Sequence, residues 1–370
     1  MTTQFCKLAG IDLPIVAFSH CRDVVVAVSR AGGLGVLGAA KFTPEDLETE
    51  LSWIDSHIEG RPYGVDVLAP RPATGNEETM DLVALKKAIP EQHKAFVESL
   101  AINNNVPPPT KGAIPAEFGG MIVSRTTLEK HVDIALSHPI KLLVSALGPF
   151  SPDIVDRAHK KNMLIGGMCG SPKHALIHAS KGADVLIAQG TEAGGHTGDI
   201  STLVLTPQVV DAVAPIPVLA AGGIASGRQI AAALALGADG AWTGSLWLTS
   251  YESDTDPCVV EKLLDAKSTD TIRTKSITGK PVRVLRTPLE EAWAAPSAPP
   301  TLPAPQQGML MRPLIQRIFQ NGITPLMGHP VGQVVGLLSD RRSCKALIED
   351  MMREVVDTIE RVNADLDLDG

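Results

Sequence analysis

A glycine-rich loop in the middle of the chain carries the residue best suited to acid–base chemistry. Residues 189–198 read QGTEAGGHTG, so that His196 directly follows Gly194 and Gly195. Histidine accepts a proton near neutral pH because its unperturbed pKa is about 6.5. The two glycines let the backbone lie close to a planar group, toward which the imidazole then projects. The pattern predicts that His196 is a catalytic base or a substrate contact, whereas Glu192 either orients the loop or faces water.

Two further glycine turns have the composition of a phosphate site. Gly222 and Gly223 follow one apolar run, and Gly244 and Ser245 follow the next. In (β/α)8 barrels, the loops after the seventh and eighth strands bind phosphate through backbone N–H groups and a helix N-terminus. Glycine is needed because a Cβ would hold the anion away from those donors. The turns therefore predict a phosphate site, which a flavin enzyme, a phosphosugar isomerase or a nucleotide dehydrogenase would each use.

From Leu13 to about Lys267 the sequence alternates short apolar runs with longer helical patterns, and these segments must position the loops. Such alternation indicates βα units in a parallel sheet. Eight candidate strands predict one closed (β/α)8 TIM barrel in the α/β class. The strands are expected at residues 13–18, 34–37, 63–68, 141–145, 163–167, 184–189, 217–221 and 240–243.

Two segments do not belong to the bare barrel, which is predicted to occupy residues 1–270. Residues 69–126 form an insertion after the third strand, with a charged helix-like stretch at 80–100. Because the insertion follows the carboxyl end of a strand, it is either a lid over the active site or solvated decoration. Residues 271–370 are expected to form a C-terminal extension that packs on the barrel or on a sister subunit. Its last helix has an apolar stripe made of Leu347, Met351, Val355 and Ile359.

Composition opposes several classes of function. The formal net charge is -8 and no basic cluster occurs, which argues against nucleic-acid binding and against binding to anionic membranes. The five cysteines are scattered without CxxC spacing, as expected in a reducing compartment. No apolar run is long enough to span a bilayer, and no targeting segment is recognisable. We therefore expect a cytoplasmic protein without a metal site, whose partners are small molecules.

Three stretches of the chain match one known family. They read AGGLGVLG (31–38), AQGTEAGGHTG (188–198) and AAGGIASGRQIAAALALGADG (220–240), and GQVVG (332–336) matches a family segment before the last helix. Together they resemble the nitronate monooxygenases, formerly called 2-nitropropane dioxygenases. The resemblance implies an FMN barrel in which His196 is the base or a substrate-positioning group. It also implies that the flavin is lined by Gln189, Gly194, Gly195, Gly222, Gly223, Gly244 and Ser245.

The chain departs from the family pattern in three places. After the first strand, a loop that often contains Gly or Met reads AFSHC, so Ala17 and Ser19 are expected to meet the flavin differently. After the third strand, the common Gly-Val-Asn ends instead in Asp66. A carboxylate there would disfavour the anionic reduced flavin unless it is protonated or paired. The third departure, the 69–126 insertion, bears on substrate size.

The resemblance implies oxidative denitrification of nitronates and nitroalkanes with O2, giving a carbonyl compound and nitrite, with His196 taking the α-proton of a nitroalkane. The alternative is an FMN-dependent NAD(P)H reductase acting on an enoyl thioester or a quinone, since such enzymes share the barrel and the Gly-Gly-His loop. A barrel that binds FMN without turnover is a third reading. The expected partners are a small-molecule substrate and O2, with a homodimer as the expected assembly.

Overall fold

The computed structural model describes residues 2–69, 82–109 and 125–366. Eight parallel strands close into a barrel, and three short strands form a separate antiparallel sheet. In chain order the strands are β1 (Ile15–Ser19), β2 (Leu34–Gly38), β3 (Tyr63–Val67), β4 (Leu142–Ser145), β5 (Leu164–Cys169), β6 (Val185–Gln189), β7 (Gly195–His196), β8 (Val218–Ala221), β9 (Gly240–Thr243), β10 (Thr271–Thr274) and β11 (Val282–Leu285). The barrel order is β1-β2-β3-β4-β5-β6-β8-β9, and the separate sheet has the order β10-β11-β7.

The prediction of a (β/α)8 TIM barrel is confirmed. All eight predicted strands form, and their ends differ from the predicted ones by at most two residues. These strands are apolar and largely buried on both faces, because one face lines the barrel interior and the other packs against helices. The interior is filled mainly by aliphatic side chains, including Val16, Val36, Leu142, Val185 and Leu219.

Helices surround the barrel. In chain order they are α1 (Gln4–Ala9), α2 (Arg22–Arg30), α3 (Pro44–His57), α4 (Leu82–Lys87), α5 (Glu91–Asn103), α6 (Arg125–Ser137), α7 (Pro152–His159), α8 (Pro172–Ser180), α9 (Thr202–Val213), α10 (Gly227–Ala235), α11 (Pro257–Asp265), α12 (Pro288–Ala294), α13 (Gln306–Gln320) and α14 (Cys344–Asp365). None of the helices in the described part of the chain is both long and apolar enough to cross a membrane.

The last helix, α14, completes the helical shell between α10 and α2. The approach to α10 is close, because a Cβ at Gly227 would overlap the carbonyl oxygen of Met351. Met351 and Val355 of the apolar stripe are buried, whereas Ile359 is 37% exposed. The first part of the stripe therefore packs on the barrel.

The insertion after β3 packs against the C-terminal extension. The helix-like stretch predicted at 80–100 forms two helices, because Pro90 precedes α5 and no continuous helix runs through it. Phe96 of α5 meets Trp293 of α12 edge to face, with ring centroids 4.8 Å apart. The buried Arg317 of α13 donates a hydrogen bond to the carbonyl oxygen of Pro107 (2.7 Å). The parts of the predicted insertion at 70–81 and 110–124 lie outside the described residues.

Candidate functional site

The carboxyl ends of the barrel strands, which form the mouth of the barrel, present a mixed aromatic and polar surface. Side chains alternate along a strand, so that Phe18, Asp66, Gln189 and Trp242 face the barrel interior while their neighbours face the helices. The rings of Phe18 and Trp242 stack with centroids 6.1 Å apart. Neither Phe18 nor Trp242 was predicted from the sequence as a site residue.

The side chains at the end of β1 and in the loop after it point in different directions. Ala17 is fully buried in the cluster between the barrel and the helices, so its side chain faces away from the barrel interior. The Ser19 hydroxyl accepts a hydrogen bond from the Cys21 backbone N–H (3.0 Å) at the start of α2. His20 also reaches the mouth, since its ring, like that of Phe18, occupies the space where a Cβ of Gly38 would lie.

His20 and Cys21 do not form a nucleophile and base pair. The His20 Nδ1 atom donates to the Gly38 carbonyl oxygen (2.7 Å), and burial lowers the pKa of the imidazole. The Cys21 thiol contacts the carbonyl oxygen of Glu252 (3.2 Å), and burial raises its pKa. Cys169, at the end of β5, is also buried, which raises its pKa to about 12. Both thiols are therefore protonated at neutral pH, as expected of small buried side chains.

His196 lies in β7, which pairs with β11 of the C-terminal extension. Its Nδ1 atom lies 2.9 Å from the carbonyl oxygen of Pro281. A carbonyl oxygen only accepts, so Nδ1 carries the proton and Nε2 retains its lone pair. Burial lowers the pKa of the imidazole, opposed by the Pro281 carbonyl and assisted by the charge of Lys280. At neutral pH His196 is therefore a neutral imidazole with its proton on Nδ1, and its Nε2 atom can accept a proton.

Two arginines support the His196 loop from the opposite face of this small sheet. Arg283 is paired with Gly195, so its side chain leaves the face to which His196 points. It donates from Nε to the carbonyl oxygen of Thr191 (3.0 Å). Arg273, its neighbour on β10, donates to the carbonyl oxygen of Thr197 (3.3 Å). The loop is thus attached on both sides of His196 to residues 76 and 92 positions away.

The loop also interlocks with the segment before α14. A Cβ on Gly194 would lie 2.7 Å from the backbone carbon of Val331, and one on Gly332 would lie 2.7 Å from the Glu192 carbonyl oxygen. The Gly332 N–H donates to the Ser245 hydroxyl (2.8 Å), which joins this segment to the turn after β9. Gly194 is therefore required for contact between two backbones, and Gly195, with nothing within 4 Å of an added Cβ, is the one that faces open space.

Glu192 orients the loop, which resolves the two alternatives left by the sequence. Its carboxylate accepts hydrogen bonds from the backbone N–H (2.9 Å) and the hydroxyl (3.1 Å) of Thr202 at the start of α9. The Thr202 hydroxyl also lies 2.9 Å from the carbonyl oxygen of Gly222, in the turn after β8. The His196 loop and that glycine turn are consequently parts of one hydrogen-bonded unit.

The two glycine turns present unused backbone donors. Gly222 and Gly223 have φ values of 93° and 72°, which favour glycine. Gly244 has nothing within 4 Å of an added Cβ. No described residue accepts a hydrogen bond from the N–H groups of Gly223 or Gly244. By contrast, the Gly227 N–H at the start of α10 already donates to Glu354 (2.7 Å), so that helix end is satisfied within the protein.

Asp66 faces the barrel interior near the end of β3. It is 3% exposed, and its Oδ2 atom has no hydrogen-bond partner among the described residues. Burial raises the pKa of this carboxyl well above its ordinary value. Asp66 and Gln189 are both interior-facing at strand ends, whereas Ala17 is not. Contact of any of these residues with a cofactor stays a prediction.

Comparison with known proteins agrees with these observations. Nitronate monooxygenase is the family that matches the chain, over residues 7–354. A protein of Mycobacterium tuberculosis, Rv1533, assigned as a monooxygenase, is 48% identical over 97% of this chain and 98% of its own length. A Staphylococcus aureus protein assigned as a nitronate monooxygenase is 29% identical over 76% of this chain and 77% of its own.

Two solved structures share the whole fold. The nitroalkane oxidase of Streptomyces ansochromogenes is 28% identical, with a TM-score of 0.80 over 97% of this chain and 99% of that one. FabK of Thermotoga maritima is 26% identical, with a TM-score of 0.74 over 98% of this chain and 99% of its own.

Proposed function

Because the chain belongs to the nitronate monooxygenase family and is a flavin-dependent oxidoreductase, we propose that it uses FMN and O2 to convert nitronates and nitroalkanes into a carbonyl compound and nitrite. The observation that carries this proposal is the state of His196. Its Nδ1 proton is held by Pro281, and its pKa is lowered by burial, so Nε2 is available to accept the α-proton of a nitroalkane.

The glycine turns fit the phosphate of FMN. The backbone N–H groups of Gly223 and Gly244 have no acceptor among the described residues, and a glycine carries no side chain that would hold an anion away. Such groups bind a phosphate through direct hydrogen bonds. Gly222, Gly223, Gly244 and Ser245 would hold the phosphate, and Gly195, Gln189 and Asp66 would face the ring. FMN, when bound, supplies the acceptor for the two electrons of the substrate.

The residues around His196 perform three tasks in this scheme. Pro281 fixes the tautomer, because its carbonyl oxygen accepts only from a protonated Nδ1. Arg283 and Glu192 hold the loop on either side, so Nε2 keeps a constant position. The half-buried setting limits hydration of the imidazole and favours its neutral form. A neutral nitroalkane requires this base, whereas a preformed nitronate has already lost its α-proton.

His196→Asn tests the proposal directly. With a neutral nitroalkane we expect kcat/KM to fall by about 10² to 10⁴-fold, the usual contribution of a positioned base. With the matching nitronate the loss should be far smaller. His159→Gln is the matched control, because His159 pairs with Asp184 (2.9 Å) at the opposite end of the barrel. Unchanged activity of His196→Asn on both substrates would remove His196 from the mechanism.

A reductase acting on an enoyl thioester or a quinone is the second candidate, and the similarity of the fold to FabK supports it. Anaerobic mixing with NADH or NADPH separates the two functions. Rapid bleaching of the flavin by either nucleotide would favour the reductase, and bleaching only by a nitronate would favour the monooxygenase. The greater similarity to the nitroalkane oxidase, with a TM-score of 0.80 against 0.74, supports the second outcome.

The remaining assignments are part of the same proposal. We place the FMN-binding barrel at residues 1–270 and the extension that packs on it at 271–370. We propose that the insertion at 69–126 is a lid over the mouth and that it limits the size of the substrate. A homodimer and a cytoplasmic location complete the proposal, and gel filtration with light scattering would test the first of them.

A further inference from the structure

A buried carboxyl group at the barrel mouth lacks a partner in the fold. Asp66 faces the interior, because Tyr63, Val65 and Val67 of the same strand face the helices. It is 3% exposed, and its Oδ2 atom makes no hydrogen bond to any described residue. Buried polar atoms in native proteins are almost always bonded. This oxygen therefore indicates a partner that binds in the mouth.

The surroundings of Asp66 leave it without a counter-charge. Its register neighbours are Gly38 on β2 and Val144 on β4, neither of which carries a charge. The titratable group packed against Gly38 is His20, and burial keeps its imidazole neutral. Burial is also the one cause acting on the pKa of Asp66, and it favours the protonated form. An unpaired buried carboxylate is much more costly than the neutral acid.

We propose that Asp66 enters the flavin site as an uncharged carboxylic acid and donates a hydrogen bond to an acceptor atom of the isoalloxazine ring. The inference rests on the proposed binding of FMN. The ring edge carries carbonyl oxygens and nitrogens that accept hydrogen bonds, and a protonated carboxyl is a strong donor. Ionisation at alkaline pH would replace this donor by an anion beside the ring. FMN binding would then weaken.

The test compares FMN dissociation constants of the full-length protein and its variants, measured by flavin fluorescence from neutral to alkaline pH. Asp66→Leu removes the donor, and we expect about tenfold weaker binding at neutral pH, the value of a good hydrogen bond. Asp66→Asn retains an N–H donor that cannot ionise, so it should bind FMN nearly as the wild type does and lose the alkaline weakening. Asp55→Asn is the matched control, because Asp55 bonds Tyr63 and His138 outside the mouth.

Infrared difference spectra of the FMN-bound proteins give a second readout that does not depend on Asp66→Leu folding. The wild type minus Asp66→Asn spectrum at neutral pH should contain the carbonyl band of a protonated carboxylic acid. A carboxylate band in its place would overturn the inference. Identical FMN affinities and identical pH profiles for the wild type, Asp66→Leu and Asp66→Asn would also overturn it, while the proposed function would stand. If the wild type itself bound no FMN, the proposed function would fail with it.

Discussion

Replacing Gly194 by alanine would separate the two backbone segments that hold the His196 loop in place. An added Cβ would lie 2.7 Å from the backbone carbon of Val331 and 2.8 Å from the nitrogen of Gly332. Backbone atoms cannot rotate away as a side chain can. The segments must therefore separate by about 0.7 Å to reach ordinary van der Waals contact. The same clash arises from the other side in Gly332→Ala, against the Glu192 carbonyl oxygen.

The magnitude follows from these distances. Overpacking of this kind costs about 1 to 3 kcal/mol in the free energy of unfolding. Catalysis should be affected more strongly than stability, because His196 lies two residues from the clash. A displacement of about 1 Å can lower a rate by about 100-fold. We expect kcat with a nitroalkane to fall by roughly 10 to 100-fold in each variant. The double variant should lose less than the product of the two, because both substitutions disturb one contact.

The assay combines steady-state kinetics with urea unfolding of the flavin-bound proteins. Gly308→Ala in α13 is the matched control, because the atom nearest to its added Cβ is 4.0 Å away. Alanine in a helix is more favourable than glycine by about 1 kcal/mol, so this variant should be slightly more stable and fully active. Wild-type activity and stability in both Gly194→Ala and Gly332→Ala would refute the idea that the extension positions the loop.

Two further predictions concern the same loop. Arg283→Met should lower kcat while FMN remains bound, because the Thr191 carbonyl oxygen loses its hydrogen-bond donor (3.0 Å) but the phosphate turns are untouched. Steady-state kinetics and the flavin absorbance of the purified variant test this prediction. Full activity would contradict it. The acid limb of kcat/KM with a neutral nitroalkane should lie below pH 6.5, because burial lowers the pKa of His196 and activity falls only as pH drops through that lowered pKa. A pH–rate profile measures it, and a limb above 6.5 would show that the base is another group.

The sequence by itself determined the barrel and the position of its chemistry along the chain. Apolar runs separated by helical patterns identify all eight strands, because parallel strands are buried on both faces and need continuous apolar residues. That same burial hides which residues point inward. No polar face marks the alternation in these strands. The sequence therefore did not show that the Ala17 side chain faces the helices, or that Phe18 and Trp242 face the barrel interior.

Only the tertiary structure decided the protonation and orientation of the candidate site residues. The tautomer of His196 depends on Pro281, which is 85 positions away, and the reason for Gly194 lies in Val331 and Gly332. The charge of Asp66 depends on burial and on the lack of a cation from neighbouring strands. The spacing of residues within a motif does not predict such distant contacts, because they form only when packing of the whole chain brings the segments together. Protonation and orientation are therefore properties of the folded surroundings, whereas residue type and loop position were readable beforehand.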